Sequence, residues 1–238
     1  MSIHRFDEVT STNDKARELI TAGEPGGTVV VACTQTAGRG RSGRSWHSPS
    51  DDNLYLSYIH RTHLDPRSCA GMTIDVGVVL AELLTRKGLD VELKWPNDVL
   101  INGLKVAGIL CELVTDQGSP VVIVGIGLNI NGSDFPEELK TIATSLFNAS
   151  HEPQDSAAIE SEIIRDLARA LARYDARSRP DTEGYRRHFR MIGRRVIIAG
   201  GASAEVEGIS NDGGLMVRTQ EGSQVLRSGE VKFVSVPS

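Results

Sequence analysis

What the chain holds little of narrows the field first. Its three cysteines, Cys33, Cys69 and Cys111, are odd in number and widely spaced, with no C-x-x-C pair. That argues against a disulfide-built scaffold and a cysteine zinc cluster, and reads as buried free thiols in a reducing cytoplasm. Basic charge is not in excess: 26 Lys and Arg stand against 31 Asp and Glu, a net charge of −5. This balance argues against a general nucleic-acid or membrane-surface role. No apolar run reads as a membrane span, and Met1 to Glu8 lacks the apolar core of a signal peptide. Without a secretory signal, the triplets Asn131-Gly132-Ser133 and Asn148-Ala149-Ser150 are chance matches to a glycosylation site. His60 and His63 form H-x-x-H with no third ligand nearby, so zinc is not expected. There is no internal repeat and no low-complexity tract.

What is present fits an ordinary globular protein. With 238 residues, 39% apolar and 24% charged, the chain can bury a core as one large domain or one large and one small. Its most informative stretch runs Gln35-Thr36-Ala37-Gly38-Arg39-Gly40-Arg41-Ser42-Gly43-Arg44-Ser45-Trp46. Glycines there allow sharp bends and close approach to a ligand. The arginines offer charged forks for phosphate or carboxylate, and Trp46 a face for a planar base. Gly38 to Gly43 also matches G-x-G-x-x-G after a strand-like run, Thr28 to Cys33. A dinucleotide fold needs a helix to open at that loop. Here turn residues follow as far as Asp52, and alternation resumes as a strand at Leu54 to Ile59, so the dinucleotide reading fails.

The patterns predict helices over 12–22, after Pro66 up to the Arg86-Lys87-Gly88 stop, over 156–174 and over 182–189. Ser11 or Thr10 can cap the first. Strands are predicted at 91–94, at 99–101 and from Leu104 through Leu113 about an Asn102-Gly103 hairpin turn, and at 121–126 as an apolar central strand. After Gly193, short strands at 196–198, 204–208, 215–217, 225–226 and 231–234, separated by glycine turns, suggest a small β-barrel.

Four segments carry the chemistry. They are Ser11-Thr12-Asn13, the arginine–glycine loop, Lys94-Trp95-Pro96-Asn97-Asp98 with Lys105-Val106-Ala107-Gly108-Ile109, and Gly125-Ile126-Gly127-Leu128-Asn129. In this order and spacing they closely resemble biotin–protein ligases, over nearly the whole chain. The resemblance implies a mixed α/β catalytic domain similar to class II aminoacyl-tRNA synthetases over 1–190, then an SH3-like domain over 191–238. It implies ATP, Mg²⁺ and biotin: the biotin carboxylate attacks the α-phosphorus, and the adenylate then passes biotin to a lysine of a biotin carboxyl carrier domain. Both reactants are anions, so cations must offset their repulsion.

By the resemblance Arg39, Arg41 and Lys105 are catalytic, at the junction of carboxylate and phosphate. Ser11, Thr12 and Gln35 answer the polar ureido ring. Gly38, Gly108, Gly125 and Gly127 let backbone approach biotin, and Tyr55 matches a biotin-pocket aromatic. Arg41, Arg44, Trp46, Asn97, Asp98 and Asn129 belong to ATP, with Asp98 toward the metal. Taken alone, Tyr55 is a strand residue, Lys105 an exposed hairpin lysine and Trp95 strand-end packing. Many family members read G-R-G-R-R-G-R, and Ser42 departs from that at its fifth position, leaving extra phosphate or loop-closing contacts in doubt. Other members carry an N-terminal helix-turn-helix. Here the first helix starts within a dozen residues of Met1, so the sequence predicts no DNA partner, no membrane and a cytoplasmic setting. A homodimer through a sheet edge is open. Lipoate or another acyl group on a similar fold is the rival substrate, and a non-catalytic regulatory or nucleic-acid-binding module the rival class.

Overall fold

The computed structural model describes residues 2–49 and 52–233. Seven strands form one mixed sheet: β1 (Ile3–Val9), β2 (Val29–Gln35), β3 (Leu54–Arg61), β4 (Val91–Lys94), β5 (Asp98–Ile101), β6 (Leu104–Asp116) and β7 (Ser119–Leu128). Their order is β1-β2-β3-β7-β6-β5-β4; β1 and β2 are parallel, and the other neighbours antiparallel. The fully apolar run from Val121 to Ile126 does become the middle strand, buried throughout. The β5–β6 hairpin turns at Asn102 (φ 52°) and Gly103 (φ 77°), left-handed angles that Asn and Gly accept readily.

Helices cover both faces of this sheet. Over one lies α1 (Thr12–Thr21), whose Ala16 and Ile20 pack on Val30, Ile59, Val121 and Ile123. Over the other lie α2 (Met72–Arg86) and α4 (Ser156–Arg177). The stripe Met72, Val76, Val79, Leu80 and Leu83 is buried as its spacing predicts, each such side chain worth about 1.5–3 kcal/mol over exposure. Two expectations are corrected here. Of the three thiols expected to be buried, only Cys69 is; Cys33 on β2 is exposed and Cys111 half-buried. Pro66–Arg86 is long and apolar enough to cross a membrane, but 67% of its apolar window is buried inside the protein, where it serves as a core helix. The short α3 (Leu146–Ser150) and α5 (Thr182–His188) complete the helices.

A second, antiparallel sheet follows: β8 (Arg195–Ile197), β9 (Ser203–Ile209), β10 (Leu215–Thr219), β11 (Gly222–Leu226) and β12 (Lys232–Phe233), in the order β11-β10-β9-β8-β12. Val234, expected to extend the last strand, lies outside the described residues. Val196, Val206, Leu215 and Val217 belong to the same apolar core as α2. Trp95, buried at the end of β4, donates its indole N–H to Gly213 O (3.0 Å), tying the two sheets together beside the site.

Sequence patterning missed two elements. In β1 charged and polar residues outnumber apolar ones, and its ladder with β2 rather than its composition makes it a strand. At five residues, α3 is too short to show a helical period.

Candidate active site

A cavity of about 780 Å³ opens where the N-terminus of α1, the paired ends of β6 and β7, the β5–β6 hairpin and the loop over 36–48 converge. Ser11, Thr12, Gln35, Gly38, Arg39, Arg41, Arg44, Trp46, Asn97, Asp98, Lys105, Gly108, Gly125, Gly127 and Asn129 all line it. Tyr55 is not among these lining residues. Fully buried on β3, it donates its hydroxyl to Pro49 O (2.9 Å) and so anchors the far end of the loop from beneath.

One set of groups at the cavity is polar and uncharged. The Thr12 N–H, at the open start of α1, donates to Gln35 Oε1 (2.8 Å), and Gln35 Nε2 donates to Ser48 Oγ (2.9 Å). The Ser57 hydroxyl lies 2.6 Å from Asn13 Oδ1 and 2.8 Å from Thr12 Oγ1. Ser11 holds the N-cap position in extended backbone, yet its side chain makes no capping bond, contrary to the capping expectation.

A second set of lining groups is cationic. The loop closes on itself through Gly40 N to Arg44 O (2.7 Å) and Trp46 N to Gly38 O (2.8 Å). Ser42 (φ 57°) and Gly43 (φ 75°) turn it through left-handed backbone, so Ser42 is a bend residue here. Arg39 donates to Asp14 Oδ1 (2.6 Å) and Glu112 Oε2 (3.2 Å). Arg41 reaches Gly229 O (3.5 Å) and Arg44 pairs with Glu230, so two of the loop arginines touch the segment before β12.

The glycines take a different form from the one expected. A Cβ on Gly127 would lie 2.4 Å from Trp46 Cε2, and one on Gly108 2.8 Å from Trp46 Cζ3. A Cβ on Gly125 would meet Asn13 Oδ1 at 2.4 Å, and one on Gly38 would meet Ser48 Oγ at 2.6 Å. The room they give is taken up by side chains of this same chain. Trp46 Nε1 is buried with no hydrogen-bond partner among the described residues.

Lys105 is held by its backbone: its N–H donates to Ile142 O (2.9 Å) and its carbonyl accepts from Thr144 N (2.9 Å). Its Nζ lies 2.6 Å from Asp98 Oδ1 and 5.1 Å from the centre of a Trp46 ring. Asn97 donates to Ile109 O (3.0 Å) and Asn129 to Thr144 O (2.9 Å), which fixes both buried amides. Lys94 was read only as part of its motif, with no role, and the wall over 135–142 escaped sequence reading. Lys94 also lines the cavity, its pKa lowered chiefly by burial, with Lys105 and Arg44 adding and Asp98 opposing. Phe135, Pro136, Leu139 and Ile142 form an apolar wall from a segment with no period to betray it, apart from its Phe-Pro pair. Five cations, an indole and an apolar wall suit a ligand that is anionic and carries a planar group. Among the described residues no three His, Cys, Asp or Glu side chains gather as a metal cluster.

This cleft and mixed sheet define the class: the chain belongs to the biotin/lipoate A/B protein ligase family, whose sequence model matches residues 4–131. Among individual proteins it is 35% identical over 235 residues to the bifunctional ligase/repressor BirA of Bacillus spizizenii, an alignment that spans 95% of this chain and 72% of that one. It is 34% identical to the biotin--[acetyl-CoA-carboxylase] ligase of Paracoccus denitrificans, across 94% of this chain and 97% of the relative. The biotin protein ligase of Aquifex aeolicus, solved in complex with biotin and ATP, superposes with a TM-score of 0.85 at 29% identity, covering 99% of both chains.

Proposed function

We infer that the chain is an ATP-dependent biotin–protein ligase, which activates biotin as biotinyl-5′-AMP and transfers it to a lysine of a biotin carboxyl carrier domain. The observation that carries this reading is the mixed lining of the cavity: uncharged hydrogen-bonding groups at Ser11, Thr12 and Gln35, and cations at Arg39, Arg41, Arg44 and Lys105. A ureido ring is neutral and polar, and leaving one of its groups unpaired on burial costs about 1–3 kcal/mol. The valerate carboxylate and the α-phosphate are anions that these cations can hold together.

In the first step a carboxylate oxygen attacks the α-phosphorus, the bond to the β-phosphate oxygen breaks and pyrophosphate leaves. Arg39, Arg41 and Lys105 offset the repulsion and stabilise the crowded phosphoryl group. Arg44, Trp46, Asn97 and Asn129 serve the nucleotide. In the second step the acceptor lysine, as its free amine, attacks the anhydride carbonyl. An amide C–N bond forms, the C–O bond to AMP breaks and the amine proton is lost. Positioning suffices for both steps, with no protein nucleophile. Mg²⁺ suits a single carboxylate such as Asp98, because it leans on substrate phosphates and keeps most of its waters, and when bound it would neutralise phosphate charge. Asp98 already faces one cation, Lys105, across 2.6 Å.

The division into 1–190 and 191–238 is supported by the change of sheet between His188 and Arg195, and an SH3-like second unit by its five short antiparallel strands. The likeness of the first unit to class II aminoacyl-tRNA synthetases is kept as part of the same proposal. A cytoplasmic setting and a homodimer through an outer strand of the larger sheet are proposed with it. Incubation with ATP, Mg²⁺, radiolabelled biotin and a carrier domain tests the activity, and lipoate in place of biotin tests the rival substrate. Label on the carrier lysine supports the reading; transfer of lipoate in preference to biotin overturns it.

A further inference from the structure

Arg39 is not held by the loop that carries it. Both hydrogens of its Nη2 point to carboxylates outside the loop, Asp14 Oδ1 at 2.6 Å on α1 and Glu112 Oε2 at 3.2 Å on β6. These two anchors differ in stiffness. The Asp14 side chain is 39% exposed, and an exposed ion pair of two flexible side chains orients little. Glu112 is 23% exposed, and the same Oε2 accepts a hydrogen bond from Asn13 Nδ2 (2.8 Å). Asn13 is buried, donates also to Leu110 O (3.3 Å) and accepts from the Ser57 hydroxyl (2.6 Å). The Glu112 carboxylate is therefore fixed to the rigid sheet, and it fixes Arg39 in turn. Nη1 and Nε of Arg39, which carry its other three N–H groups, make no hydrogen bond among the described residues and stay available to an anion in the cavity.

The same chain of bonds runs on to the uncharged groups of the cleft. Ser57 touches Thr12, Thr12 binds Gln35, and Gln35 binds Ser48, which donates to Trp46 O (3.0 Å). One network thus grips both ends of the arginine–glycine loop. Resting on the ligase reading above, we propose that Glu112 is the positioning residue for Arg39: it holds the guanidinium over the site of adenylate formation and couples it to the groups that read the ring. A residue that acts only through another has no effect once that other is gone.

The test is a double-mutant cycle on the full chain, with Glu112→Gln, Arg39→Gln and both together. Biotin-dependent pyrophosphate release gives kcat and the KM for each substrate. Glu112→Gln keeps the shape and the Asn13 bond but removes the charge that holds Arg39. It lowers kcat about tenfold, with the KM for ATP changed less than about twofold, as expected for lost positioning. In the Arg39→Gln background the same change adds nothing. Glu112→Asp, which retains the charge on a shorter stem, recovers part of the kcat and tests the idea independently if the glutamine variant fails to fold. Independent losses in the double variant, or unchanged kcat in Glu112→Gln, overturn the assignment. A parent enzyme that releases no pyrophosphate with biotin and ATP overturns the ligase reading itself, and this proposal with it.

Discussion

The indole of Trp46 rests on Gly127: a methyl group on that Cα would lie 2.4 Å from Cε2. Gly127 lies in β7, outside the left-handed region, so alanine fits its backbone and only the indole must move. Gly127→Ala is expected to raise the KM for ATP roughly three- to tenfold, the scale of one lost aromatic contact, with the far-UV spectrum unchanged. Pyrophosphate-release kinetics check this; an unaltered KM separates Trp46 from the nucleotide.

Arg41 reaches across the cleft to Gly229 O at 3.5 Å, a long and weak contact that leaves its charge for an anion. Arg41→Gly should weaken retention of the adenylate. The reactive intermediate then escapes and labels bystander lysines, which is read by mixing the variant with an unrelated protein and blotting for biotin. Adenylate release at the parent rate is the outcome that removes Arg41 from this role.

Lys105 has its backbone locked and its ammonium shared between Asp98 and Trp46. Its charge matters most where negative charge crowds at phosphorus. Lys105→Ala is expected to slow adenylation about 100-fold, the cost typical of losing one electrostatic stabiliser, while biotin affinity falls much less. Calorimetry and pyrophosphate release separate the two effects; equal losses in both count against the assignment.

Asp75 offers a pH signature away from the cleft. Buried on α2, it pairs with Arg177 and accepts from Asp181 N (2.8 Å), yet burial outweighs these and raises its pKa from 3.8 to about 6. Between those values the folded state binds more protons than the unfolded one, so stability falls as pH rises from about 4 to about 6. The contribution is full below the unfolded pKa and gone above the folded one, about 3 kcal/mol in all. Denaturant titrations across that range should show the slope, and Asp75→Asn should flatten it. Asp90, Asp166 and Asp212, whose pKa values are lowered, act below this window and in the opposite sense; Glu207, lowered from 4.5, and His188, lowered from 6.5 by burial, oppose Asp75 within it, so the difference made by Asp75→Asn is the readout.

Much of this molecule is legible in its sequence, for reasons that differ by element. The α2 stripe, the apolar run of β7 and the Asn102-Gly103 turn each carry a local signal that burial or backbone geometry makes obligatory. The arginine–glycine loop is legible because few other roles need glycines, arginines and an indole so close together. Tyr55 is assigned to biotin by resemblance alone; its strand buries it, with its hydroxyl on Pro49 O. Asn13 and Lys94 stand inside motifs that the sequence marks but that gave them no role, and Glu112 was passed over because nothing local marks it: the three become site residues only when β6 crosses α1 and β4 turns back beside the hairpin. The apolar wall from Phe135 to Ile142 is irregular backbone pinned by a bridge to Lys105, which no periodicity foretells.

The most direct measurement is pyrophosphate release from the purified chain given ATP, Mg²⁺ and biotin, followed by addition of a carrier domain. A burst of pyrophosphate that requires biotin, then amide-linked biotin on one carrier lysine, is the predicted result. Pyrophosphate that forms without biotin, or none at all, contradicts the account.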